Sequence, residues 1–184
     1  KSIYYRGNPA LAQQQQALLR ALDTQPQSVW VREARQLAAQ NIYLPDNRLL
    51  LYLLQGTGEP ALYARLWHRP VDQDALTALL TINRFHQGNV ASDLLITASD
   101  NPGLKASALR QLSALSPLPP QAQKYLLAEL SNRQYGALVA GLLMEVDEPQ
   151  LLSALARRLG QRDTPPIAPS LLPDSGTPDG RPGL

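Results

Sequence analysis

Leucine and alanine recur at spacings of three and four along residues 101–159, and short polar or proline-rich breaks cut that pattern into pieces. Leu104, Ala108, Leu109, Leu112 and Leu115 make one stripe, and Ala122, Leu126, Leu127 and Leu130 the next. Tyr135, Leu138, Val139, Leu142 and Leu143 make a third, and Leu151, Leu152, Leu155 and Leu159 a fourth. Such spacing gathers the apolar side chains on one face of an α-helix and predicts four successive helices. Asn101-Pro102 and Asp147-Glu148-Pro149 suit helix starts, because Asn, Asp and Glu favour free backbone donors and Pro at the first turn gives up an N–H that had no partner. Ser116-Pro117-Leu118-Pro119-Pro120 stops one helix and opens another. Helices of about 14 residues or fewer are marginal alone and need neighbours to cover their stripes. Links of about two to five residues then turn consecutive helices antiparallel.

The first hundred residues follow the same grammar more loosely. The pattern predicts a helix over Pro9–Asp23 with Leu11, Leu18, Leu19 and Leu22 inside. A second is expected from an N-cap at Ser28, burying Trp30, Ala34, Leu37 and Ala38. A short third helix, Asn47 to Gln55, is apolar on nearly every side and belongs at the centre, closed by Gly56-Thr57-Gly58. Glu59-Pro60 opens a fourth with Leu62, Tyr63, Leu66 and Trp67. Asp72 caps a fifth with Leu76, Leu79, Leu80, Ile82 and Phe85, and Gly88-Asn89 separates it from a sixth with Val90, Leu94, Leu95 and Ala98. Residues 1–8, with Ile3, Tyr4 and Tyr5, read as an irregular arm that lies over the first helix. Asn-Pro or Glu-Pro recurs at residues 8, 59, 101 and 148, which fits ordinary helix starts better than a three-helix unit. Beyond Leu159 the chain turns rich in Pro, Gly, Asp and Ser without periodicity, so the organisation is a helical domain over 1–160 and a tail over 161–184.

The run from Asn101 to Leu159, typified by Lys105-Ala106-Ser107-Ala108-Leu109-Arg110-Gln111-Leu112, resembles HEAT-type repeats, which are helix hairpins with Pro or Asp near a helix start and a Leu/Ala stripe after it. Tetratricopeptide repeats match less well, because their aromatic and Gly positions do not return at a steady period. The resemblance implies an all-α fold, a right-handed α-α superhelix of about ten short helices in five hairpins. It also implies a curved scaffold that binds other macromolecules.

Composition narrows the function classes. Leu dominates and β-branched runs are absent, which disfavours a sheet. With no cysteine there is neither a disulfide framework nor a thiolate metal site. The formal net charge of +2 is too small for a polyanion argument despite a pI near 9.1. No apolar run approaches the ~20 residues of a membrane span. The start of the chain has no signal-peptide pattern, so Lys1 reads as a processed N-terminus or a fragment boundary. The abundance of Arg, Gln, Leu, Ala and Pro reads as bacterial, with periplasm and cytoplasm both open.

Phosphate loops, nucleophile elbows and nucleotide fingerprints are missing from the sequence. His68 and His86 are the only histidines. Pro70 breaks the register between His68 and the acids Asp72 and Asp74, Asp72 is explained as a cap, and His86 reads as a boundary histidine. Glu145, Asp147 and Glu148 read as capping charges, and Arg157, Arg158 and Arg162 suit a helix C-terminus. The expectation is therefore a monomeric, non-enzymatic protein-interaction or scaffolding module without cofactor or metal, its partner another protein or a peptide. The alternatives are a helical-repeat enzyme on nucleic acid of the DNA-glycosylase kind, which the small net charge argues against, and an envelope-associated helical domain. If helices pair in order, the second and fourth share a face, and Arg32, Arg35, Arg65, His68 and Arg69 beside Trp30 and Trp67 form the expected partner groove. The tail carries Ile167, Leu171 and Leu172 among Pro165, Pro166, Pro169 and Pro173, and these aliphatics are expected to dock in an apolar groove.

Overall fold

The computed structural model describes residues 9–40, 43–146 and 149–162. Within them the chain forms ten α-helices and no strand. These are α1 (Pro9–Asp23), α2 (Gln27–Ala39), α3 (Arg48–Thr57), α4 (Pro60–Trp67), α5 (Gln73–Phe85), α6 (Gly88–Ala98), α7 (Pro102–Ser113), α8 (Pro120–Glu129), α9 (Gly136–Met144) and α10 (Pro149–Arg162). The boundaries fall where punctuation chemistry places them. Pro sits at the first turn of α4, α7 and α8, where its missing N–H costs nothing. Asp72 Oδ1 accepts from Ala75 N (2.8 Å) and Asn101 Oδ1 from Gly103 N (3.0 Å), so each cap satisfies a free donor of its helix.

Short helices need covering, and the packing supplies it in a regular order. Each helix lies against its successor or against the next but one. α1, α3, α5, α7 and α9 contact one another in sequence, as do α2, α4, α6 and α8, while α10 rests on α9. Two rows of helices result, and the apolar stripes meet between them. α3 touches helices of both rows, and Leu50, Leu53 and Leu54 are almost wholly removed from water, as the all-round apolar sequence of this helix requires. Tyr63, Leu79, Ile82, Leu95, Leu104, Leu109 and Leu112 continue the same buried cluster. Burying each such aliphatic contributes about 1.5–3 kcal/mol, which stabilises helices too short to hold alone.

Several expectations are corrected at the surface. α2 starts at Gln27 with Pro26 at the cap position, so Ser28 lies inside the helix rather than capping it. Leu80 is 61% exposed, and Leu18, Val90 and Leu152 also reach water although each falls on an apolar stripe. The link from α2 to α3 spans residues 40–47, and that from α7 to α8 spans 114–119, both longer than the short turns expected.

Gly58 closes α3 in the left-handed region at φ 60°, and its N–H donates to Leu54 O (2.9 Å). A Cβ there would stand 2.4 Å from Phe85 Cγ. Gly58→Ala therefore adds backbone strain to a steric clash, and we expect a loss of about 2–3 kcal/mol. A urea titration against the wild type reads it. An unchanged midpoint would contradict the packing of Gly58 on Phe85.

Candidate functional site

The five polar side chains expected to line a groove fall on or beside α2 and α4, which lie side by side. Arg35 Nε pairs with Glu59 Oε2 (3.1 Å) ahead of α4. Arg65 reaches the other way, donating to Leu37 O and, at 2.6 Å, to Gln40 O at the end of α2. Arg35 and Arg65 thus bridge one α2–α4 seam, the second by capping carbonyls that the helix leaves unpaired. Burial and the nearby Arg69 charge lower the Arg65 pKa from its ordinary value. Arg69 turns inward: Nε donates to Asn47 Oδ1 (2.6 Å) and Nη2 to Leu44 O (3.0 Å) and Asp46 O (3.1 Å). Asn47 in turn donates to Pro70 O (3.0 Å), and Asn101 Nδ2 donates to Trp67 O (2.8 Å) and Arg69 O (3.3 Å). Three interhelix links are stitched together by this chain of bonds. Arg32 and His68 remain exposed, the first beside Glu33 (3.5 Å) and the second with Nδ1 at 2.7 Å from Ala64 O. The sequence does not show the carbonyl and Asn47 bonds that occupy Arg65 and Arg69.

A second polar seam lies further along the same edge. Lys105 Nζ meets Glu129 Oε1 (2.9 Å) with both side chains largely covered, and it stands 5.3 Å from the Tyr135 ring centre. Asn132 Nδ2 donates to Glu129 Oε2 (2.9 Å), and Tyr125 Oη shares a hydrogen bond with Ser99 Oγ (2.5 Å). Burial pushes the Lys105 pKa down, but the Glu129 hydrogen bond and the charges of Tyr125, Glu129 and Tyr135 outweigh it, so the net shift is upward. A lysine whose folded pKa exceeds its unfolded value of about 10.4 stabilises the fold below that pH, and the contribution disappears as pH rises through the folded value. Tyr125 adds to the same alkaline loss, because burial raises its pKa more than the Ser99 bond lowers it. We expect Lys105→Met to lower stability at neutral pH and to flatten its decline between about pH 9 and 12. Equal slopes for variant and wild type would contradict the assignment.

The clearest apolar concavity was not foreseen. α1 packs mainly on α3 and touches α2 only lightly, so a cleft of about 130 Å³ opens between α1 and α2 over α3. Leu18 and Leu22 form one wall, Leu37 the other, and Leu49 and Leu53 the floor, with Glu33, Gln36 and Gln40 at the rim. Leu18 is 43% exposed there, although its stripe predicts burial. Leu18 faces the gap between α1 and α2 rather than another described helix. Pockets for small ligands usually span about 300–1,000 Å³, so this volume suits one or two side chains better than a cofactor.

His86 lies apart from His68, half-buried, with Nε2 at 2.5 Å from Gly58 O and its ring edge-on to Tyr63. Among the described residues, no group of three or more His, Cys, Asp or Glu could hold a metal ion. Nor, among them, is any helix long and apolar enough to cross a membrane. Asp74 sits near Asp72 and Asp46, and burial followed by these like charges raises its pKa against the opposing pull of Arg48. The docking residues Ile167, Leu171 and Leu172, like the Asp147-Glu148 pair, lie outside the described residues. Comparison with family models, curated proteins and solved structures gives no match for this chain.

Proposed function

We propose that the chain is a non-enzymatic protein-interaction module, a HEAT-like right-handed solenoid that presents the α1–α2 cleft to a peptide segment of another protein. The two-row packing, each helix against its successor or the next but one, supports the solenoid reading, because stacked hairpins bury one continuous core in this way. The cleft carries the functional reading. It combines aliphatic walls and floor, an exposed leucine and an uncharged rim broken by one glutamate, and these features suit an apolar anchor side chain flanked by main-chain hydrogen bonding. Arg32, Arg35 and His68 stand on the neighbouring α2–α4 surface and form the polar border of the same interface, while Arg65 and Arg69 hold its helices in place.

Leu18→Glu tests this reading, because its exposed site tolerates a charge without loss of the fold. Immobilised wild-type protein is expected to retain a partner from the source cell that the variant loses at least about tenfold, or ~1.4 kcal/mol. Equal retention by a folded variant would remove the cleft from the function.

A further inference from the structure

We propose that the cavity between the last turn of α7 and the end of α9 binds a short zwitterionic peptide, its ammonium held at Glu145 and its terminal carboxylate at Arg110. The site is built on other helices than the α1–α2 cleft and does not depend on it. α7 and α9 pack on each other, and about 510 Å³ of open space lies where their C-terminal ends meet the link after α7. That volume falls in the usual range of about 300–1,000 Å³ for small-ligand sites. Leu115, Pro117, Leu142 and Val146 supply an apolar wall, and among the described residues Arg110 and Glu145 are its two charged side chains. Both are exposed, and among the described residues neither side chain enters an ion pair or a hydrogen bond. The two ends of the cavity differ in polarity. α7 carries Arg110 in its last turn, whereas α9 has no basic residue in its own and is followed at once by Glu145. A helix C-terminus bears partial negative charge, so an acid there is disfavoured by the helix itself and gains from a cation brought by a ligand. Glu145 and the carbonyl end of α9 thus attract an ammonium, while the planar fork of Arg110 suits a carboxylate. Span selects the ligand. Arg110 and Glu145 belong to adjacent helices, and packed helix axes lie about 8–10 Å apart. Two or three extended residues cover about 7–10 Å, so they set opposite ends against the two side chains. A free amino acid carries both charges on one carbon, too close together to engage both side chains at once. Aliphatic side chains of the bound peptide lie on Leu115, Leu142 and Val146.

Isothermal titration calorimetry with leucyl-leucine tests this. The wild-type protein is expected to bind the dipeptide, and to bind free leucine, N-acetyl-leucyl-leucine and leucyl-leucinamide about fivefold more weakly, the scale of one partly exposed ion pair. Glu145→Gln should weaken leucyl-leucine by the same factor and leave N-acetyl-leucyl-leucine unchanged. Arg110→Gln should weaken leucyl-leucine and leave leucyl-leucinamide unchanged. Both positions are exposed, so the variants keep the fold, and the blocked ligands carry the test on unaltered protein as well. No binding of leucyl-leucine at millimolar concentration, equal affinity for free leucine, or equal losses for blocked and unblocked ligands in either variant would each overturn the proposal. The α1–α2 cleft takes no part in this titration, so the capture experiment and the calorimetry fail independently.

Discussion

Leu109→Asp is expected to abolish cooperative folding. Leu109 sits in α7 with no exposed surface, in the cluster that joins the two rows. A carboxylate placed there has no cationic partner, and burying it costs at least several kcal/mol against a total stability of about 5–15 kcal/mol for a domain. Circular dichroism should show lost helicity or a melt without a cooperative transition. Leu142→Asp makes the internal comparison. That side chain is half-buried at the edge of α9, so water can reach the new charge, and a folded protein with a lower melting temperature is expected. Equal, small effects at both positions would contradict the buried stripe of α7.

Arg69→Ala should cost about 2–4 kcal/mol, more than an ordinary surface arginine. Its guanidinium satisfies Asn47 Oδ1 and the Leu44 and Asp46 carbonyls in a stretch, residues 43–47, that forms no helix. Removing the donors leaves those acceptors desolvated and unpaired, and loosens the Asn47–Pro70 bond that joins two links. For a chain of this size the expected fall in melting temperature is about 5–15 °C. Arg69→Lys should recover little of it, because a single ammonium cannot match the planar fork of donors. Full rescue by lysine would mean that charge, rather than directed hydrogen bonding, holds this seam.

The helices were legible because their signals are local. Asn101-Pro102, Asp72 and Gly58 act on the backbone within a few residues, so caps and stops could be read in place. The stripe of α7 was also plain, since Leu104, Ala108, Leu109 and Leu112 leave one solution for its buried face. Position in the stack was not legible. Leu18, Leu80 and Leu152 obey the same three-and-four spacing as Leu109, yet they face water, because spacing along one helix does not say what lies over it. The cleft was not legible for the same reason, since it depends on how α1, α2 and α3 meet. Arg65 and Arg69 illustrate a third limit. Their chemistry suits partner recognition and carbonyl capping equally, and only the fold brings the carbonyls of Leu37, Gln40, Leu44 and Asp46 within reach.

Site-specific photocrosslinking in the source cell tests the central claim most directly. A benzophenone amino acid at Leu18, in the cleft, is compared with the same group at Arg133, exposed in the link between α8 and α9. The account predicts a discrete protein adduct from position 18 and none of the same mass from position 133, with Leu37→Glu in the opposite wall reducing the adduct. The same adducts from both positions, or none from position 18 in folded protein, would contradict a binding role for the cleft.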